Sequence, residues 1–313
     1  MSTTTVAAPA APSSSGGRRA ATRKHAARRS AELGPLIPAV LLMLVFLLGP
    51  ILYSLYGSLT NRAMTGYKAA NPQFVGLQNY QSLLGSGAFW KSVVLTIVFV
   101  VASAVIGQNI LGMALALLMR MVPKSVGTVV GGIVVIAWVL PEIVAAFALY
   151  AFFSTEGTLN HMLAWFGLTG PSWLLAFPML SVILANVWRG TAFSMMIYGA
   201  ALGNVPPDIN EAAMIDGASA WQRLIHVTLP VIKGSISTNL MLTTLQTLAV
   251  FTLIWVMTGG GPGTATSTLP VLAYQQAFKY SQVGYGTAIA TVTILLGALF
   301  AFVYIKVLKP EVD

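Results

Sequence analysis

Glu142 and Arg189 are the two ionisable residues that lie inside long apolar runs, Glu142 directly after Pro141 and Arg189 within Asn-Val-Trp-Arg-Gly-Thr-Ala-Phe. An acid or a base in such surroundings is costly, and it turns toward a bundle interior, a cavity or a counter-charge. Two roles fit the pair: an ion pair between helices, or groups lining the path of a polar solute. Asn186, Arg189, Gly190 and Phe193 recur at i, i+3, i+4 and i+7, which places them on one helical face. Asn239, Thr243, Gln246 and Thr247 form a second polar stripe. Amides, hydroxyls and an aromatic ring can hydrogen-bond and stack on a carbohydrate, and the same groups also bond helix to helix in lipid. Proline at 141 can open backbone groups beside Glu142.

Other chemistry finds no residues to carry it. His25, His161 and His226 lack metal-ligand spacing, and the eight acids are dispersed. With no cysteine there is no disulfide, thiolate metal site or cysteine nucleophile. No Gly-x-x-x-x-Gly-Lys-Ser/Thr occurs, and no acidic cluster suits Mg²⁺. We therefore expect no catalytic residue, no metal and no bound cofactor in this chain. The net charge of +9 does not point to nucleic acid, because six of the seventeen cations crowd into residues 18–29 and no basic face alternates with aromatics.

Composition decides which elements must position these residues. Only 8% of the 313 residues are charged and 56% are hydrophobic, against about 25% charged in an ordinary soluble domain. Such a chain cannot cover a water-facing surface, so lipid is its solvent. A helix crosses the hydrocarbon with roughly 20 apolar residues, and six stretches qualify: 34–58, 92–119, 126–153, 178–203, 232–258 and 284–308. Residues 1–33 are rich in Ala, Ser, Thr and Pro and end in Arg18, Arg19, Arg23, Lys24, Arg28 and Arg29, a composition expected to stay disordered. A cleaved signal peptide is the rival, but the apolar run that follows is too long and has no small-residue cleavage site. Lys and Arg favour the inner face. With the tail inside, that face also holds Arg120, Lys124, Arg223, Lys233, Lys306 and Lys309, while Arg62, Lys68, Lys91 and Lys279 lie outside. Both termini are thus expected in the cytoplasm. The fold class is all-α integral membrane, with residues 34–313 as one six-span domain.

The inner loop between spans four and five, residues 204–231, is too ordered for a linker. Pro206 and Pro207 stop the preceding span, and Asp208 with Glu211 has capping-box spacing. Gly217 supplies a turn, and Ser219 with Gln222 opens a second short helix that Pro230 should end. The expected product is a helix-turn-helix carrying Met214, Ile215, Trp221, Leu224 and Ile225 as an apolar surface.

Glu211-Ala212-Ala213, then Asp216-Gly217, then Leu229-Pro230 resembles the EAA loop of binding-protein-dependent ABC importer permeases. Ala213-Met214-Ile215-Asp216-Gly217-Ala218-Ser219 is similar to the maltose-type sugar branch. So are Phe74-Val75-Gly76-Leu77-Gln78-Asn79-Tyr80, Thr258-Gly259-Gly260-Gly261-Pro262, Thr268-Leu269 and Gly284-Tyr285-Gly286. The likeness covers residues 34–308. The triple glycine lacks the Lys-Ser/Thr of a phosphate loop and reads as a tight reversal after span five.

The resemblance implies that the EAA loop is a coupling helix docking into a separate ATPase, with ATP and Mg²⁺ held by that partner. It implies two ATPase subunits, a second homologous permease, an external solute-binding protein and a sugar substrate, in the plasma membrane of a prokaryote. It also implies that the helices flanking the loop contact the solute, by alternating access. Glycerol phosphate esters are an alternative solute within the same class. An ATP-independent secondary transporter or channel is the alternative from a different class. It would need no docking loop and would show a richer proton or ion relay.

Overall fold

The computed structural model describes residues 37–308, and the basic tail expected over residues 1–33 lies outside them. The chain divides into two compact units, up to Ser54 and from Leu55 onward. The first is described by the apolar helix α1, Ile37–Ser58, whose last turn enters the second unit. Among the described residues the regular secondary structure is all helical, apart from one isolated bridge between Thr60 and Phe74, and turns and loops connect the helices.

Among the described residues, four helices are long and apolar enough to cross a membrane: α1, α2 (Gly87–Met121), α5 (Pro178–Gly203) and α11 (Val283–Lys306, continuing to Leu308). Two further stretches pass only as bent pairs. In the first, α3 (Lys124–Val139) meets the helical stretch Glu142–Ala164 at 105°, and α4 (Glu142–Phe153) opens that stretch. In the second, α8 (Lys233–Leu248) meets α9 (Thr252–Thr258) at 48°. The expected spans 126–153 and 232–258 are therefore broken rather than continuous. Pro141 accounts for the first break, since it has no N–H and disfavours helix at Leu140 before it. The second falls at Ala249–Val250–Phe251, where no proline stands.

The loop between spans four and five forms α6 (Pro207–Ile215) and α7, which runs from Ala220–Arg223 through a π turn at Leu224–Thr228 into Leu229–Val231. A short helix, α10 (Leu269–Tyr274), precedes α11.

In the second unit α2 and α5 run side by side and parallel. Gly107 faces Val187, Gly112 faces Ser194, and the Arg120 guanidinium donates to the Leu202 carbonyl at the end of α5. The contact is close enough that a Cβ on Gly112 would stand 2.4 Å from Ser194 Cβ. Small residues at such a seam let helix backbones approach in lipid, where van der Waals contact substitutes for a hydrophobic drive.

Among the described residues, three apolar clusters pack the second unit. One packs Ala146, Leu149 and Phe153 of α4 against Leu253, Ile254 and Met257 of α9. A second gathers Ala116, Met195, Tyr198 and Leu202 with Ile232. The third sets Leu83 and Phe89 against Leu269, Leu272, Ala288 and Ile289.

Two family-like segments prove to be structural clamps. Asn79 donates from Nδ2 to the carbonyls of Ser58 and Thr60, both at 2.8 Å, and the Tyr80 hydroxyl bonds Ser58 Oγ at 2.7 Å. The Asn79 bonds satisfy the Ser58 carbonyl, orphaned at the end of α1, and the Thr60 carbonyl just beyond it. At the triple glycine, Gly259 takes the left-handed conformation (φ 62°) and its N–H returns to the Trp255 carbonyl, the reversal expected there.

Candidate functional site

Two sites emerge, a polar spine inside the bundle and the exposed helical hairpin α6–α7. The spine begins in α2, where an eight-residue π turn, Val101–Gln108, interrupts the α-helix. The wider turn brings Ser103, Gln108 and the following Asn109 all to the buried side, the kind of redirection π-bulges supply at functional sites. Asn186 of α5 donates to Ser103 Oγ (2.9 Å) and Thr247 Oγ1 (3.3 Å), while Gln108 Nε2 donates to the Asn186 carbonyl (3.0 Å). One layer further, Asn239 of α8 donates to Asn109 Oδ1 (2.8 Å) and Ser194 Oγ (2.9 Å). The Tyr198 hydroxyl also donates to Asn109 Oδ1. Thr243 returns its hydroxyl to the Asn239 carbonyl and accepts from Asn109 Nδ2. Asn239 Oδ1 is buried without a partner among the described residues.

The sequence-read stripes thus divide. Asn186, Asn239, Thr243 and Thr247 are buried and bonded helix to helix, whereas Gln246 of the same stripe is exposed. Gly190 is covered by Gln108, whose side-chain amide would collide with any Cβ there. Phe193 pairs with Trp138 of α3 at 5.8 Å between ring centroids. Arg189 is half-buried, and its Nε has no partner among the described residues. The ion pair considered between Glu142 and Arg189 does not form. Glu142 Oε1 instead accepts from the backbone N–H of Leu253, at 3.3 Å. Sequence reasoning missed Ser103, Gln108, Asn109, Ser194 and Tyr198. The adjacent amides Gln108-Asn109 inside an apolar span were the available signal.

The hairpin is built by local rules. Pro207 starts α6 at its first position, where a missing N–H costs nothing. Asp208 is therefore inside the helix, and no side chain caps it at Pro206. The capping box expected of Asp208 and Glu211 is absent for that reason. The second, from Ser219 and Gln222, forms reciprocally: Ser219 N–H to Gln222 Oε1 at 2.8 Å, and Gln222 N–H to Ser219 Oγ at 3.3 Å. Between the helices Gly217 has φ +79°. Its N–H bonds the Met214 carbonyl and the Ala218 N–H bonds that of Ala213, both at 3.0 Å. This is a Schellman closure, which needs a left-handed residue at the position Gly217 holds. Pro230 does not end α7, which continues to Val231 before Ile232 breaks it. Leu229 is half-buried, packed on the cluster that holds Met195, Tyr198 and Leu202. Glu211, Ala212 and Asp216 are exposed and Ala213 is half-buried. Ile215 is 86% exposed, Trp221 68% and Met214 58%, an apolar surface on short helices that carry charged neighbours.

The family model described as "Binding-protein-dependent transport system inner membrane component" matches residues 108–313. A trehalose/maltose transport system permease protein of Thermococcus litoralis is 36% identical over 286 residues, covering 89% of this chain and 94% of that protein. The trehalose transport system permease protein SugA of Mycobacterium tuberculosis is 35% identical over 272 residues, covering 86% and 85%. Among solved structures, a bacterial alginate ABC transporter in complex with an alginate pentasaccharide-bound periplasmic protein superposes with a TM-score of 0.78 at 22% identity, covering 92% and 98%.

Proposed function

The chain belongs to the family of binding-protein-dependent transport system inner membrane components, a sugar-type ABC importer permease, and we propose that it forms one half of a pathway for a di- or oligosaccharide. In this reading it crosses the membrane six times, the two bent pairs each counting as one broken span, with both termini in the cytoplasm. A second homologous permease completes the pathway, an external solute-binding protein delivers the sugar, and two ATPase subunits supply the energy. The periplasmic protein named with the alginate transporter supports a binding-protein partner.

The observation that carries the coupling is the hairpin α6–α7. A rigid turn closed by Gly217 presents Met214, Ile215 and Trp221 outward. Exposed apolar side chains on a fixed scaffold mark a docking surface, and a separate ATPase is the partner that a chain without its own nucleotide motif needs. ATP binding closes the ATPase dimer, the hairpin moves with it, and α5 and α8, which flank it, carry the motion to the spine. The solute contacts fall to the groups the spine leaves available: Arg189, the Phe193–Trp138 aromatic pair and Gln246. A glycerol phosphate ester is the second reading, favoured by the half-buried Arg189, which Glu142 does not neutralise.

The test is co-purification of the tagged chain from its native membrane in mild detergent. An ATPase and a second permease in stoichiometric amounts are expected, with trehalose, maltose and glycerol 3-phosphate then tried for uptake by the purified complex in proteoliposomes. A stable lone chain or homo-oligomer without ATPase would overturn the reading and favour an ATP-independent transporter.

A further inference from the structure

Glu142 stands at an unusual junction. It is the first residue of α4, immediately past the break in span three, and its Oε1 accepts from Leu253 N–H, in the first turn of α9 just past the break in span five. The opening N–H groups of a helix have no partner within it, and a helix start carries partial positive charge. One carboxylate therefore sits in the first turn of α4 and bonds the first turn of α9, helices from two different spans. Neither helix has a cap of its own: Pro141 and Phe251, at the two N-cap positions, make no side-chain cap bond. A serine at 251 would cap α9 more cheaply than an acid brought from another span into an apolar environment. The acid does what a local cap cannot, because it joins the two breaks. Beyond it, Ala146, Leu149 and Phe153 pack on Leu253, Ile254 and Met257 with all six buried.

We propose that Glu142 is a positioning residue of transport, its carboxylate fastening α4 to α9 so that the second halves of both broken spans move as one body about the two breaks. The bends of 105° and 48° are where each span can flex. The hydrogen bond holds the flexing points in register, and the apolar cluster holds the segments beyond them.

The chain has no cysteine, so spin labels can be placed on Phe147→Cys in α4 and Thr252→Cys in α9 with no background from this chain, in partner subunits made cysteine-free. The assembled transporter in nanodiscs is measured by double electron–electron resonance, without nucleotide and with ATP–vanadate. One narrow distance, equal in both states, is expected with Glu142 present, and a broadened distribution with Glu142→Ala. Glu142→Gln keeps an acceptor oxygen and should restore the narrow distance. Trehalose uptake in proteoliposomes should fall by up to about tenfold in maximal rate in Glu142→Ala, the upper size of a single hydrogen bond, with KM for the loaded binding protein unchanged. If Glu142→Ala does not assemble, Glu142→Leu is read in the same way, since a lipid-embedded helix accepts leucine. An unbroadened distance in the alanine or leucine variant, or unequal distances in the two nucleotide states with Glu142 present, would overturn the proposal. The distances need no solute, so failure of the intact transporter to take up trehalose would count against that sugar and not against the fastening.

Discussion

Replacing Gly217 separates backbone conformation from side-chain volume at the hairpin. Its φ of +79° is one that L residues adopt at a cost of roughly 1–2 kcal/mol. A Cβ built there meets no atom within 4 Å, so within this chain the conformational cost is the whole cost. Gly217→Ala should therefore weaken the closure made by the Gly217 and Ala218 N–H groups by a factor of about 5–30. Gly217→Val should weaken it at least as much, because a β-branched side chain fits the left-handed region worst. Gly217→Asn should recover most of the closure, since asparagine visits that region most readily among non-glycine residues. Hydrogen exchange at residues 217 and 218 reads the closure directly. Uptake per ATP hydrolysed by the reconstituted transporter reads its consequence, with membrane content checked by immunoblot. The expected order for both is Gly, Asn, Ala, Val, with the chain inserted normally throughout. If valine left exchange and coupling unchanged, the turn would not be what positions the docking surface. If asparagine behaved like valine, added bulk against the ATPase rather than φ would be responsible.

Two further substitutions test the bundle. Asn239→Leu removes two donated hydrogen bonds at about 0.6 kcal/mol each in a membrane interior, so stability should drop by about 1 kcal/mol and the unfolding midpoint, followed by tryptophan fluorescence in detergent, by a few degrees. Gly112→Val should destabilise by about 1–3 kcal/mol through overpacking against Ser194 and the Met195 backbone. Gly131→Val, where no atom lies within 4 Å of the added Cβ, should be close to neutral in the same assay, and equal effects at the two sites would contradict the close approach of α2 and α5.

The sequence by itself determined the class of this protein, because a chain with so few charges has one solvent available to it, and the apolar runs had to become helices long enough for lipid. It also determined the hairpin closely. Gly217, Ser219 and Gln222 act through bonds to residues three positions away, and the chemistry of turns and caps is local. The same locality explains the miss at Asp208, since Pro207 claims the helix start one residue earlier.

Tertiary structure decided the rest. Periodicity placed Asn186, Asn239, Thr243 and Thr247 on helical faces but could not say what those faces meet. The π turn in α2 and the close approach of α5 turned them inward, onto Ser103, Asn109 and Ser194. The breaks illustrate the same division: Pro141 announces one, whereas Ala249–Val250–Phe251 contains no breaker and bends where it meets α4. Glu142 could be read as an expensive charge in a span, but its partner is a backbone N–H more than a hundred residues away. Backbone groups look identical at every position of a sequence, so only the folded chain could identify that one.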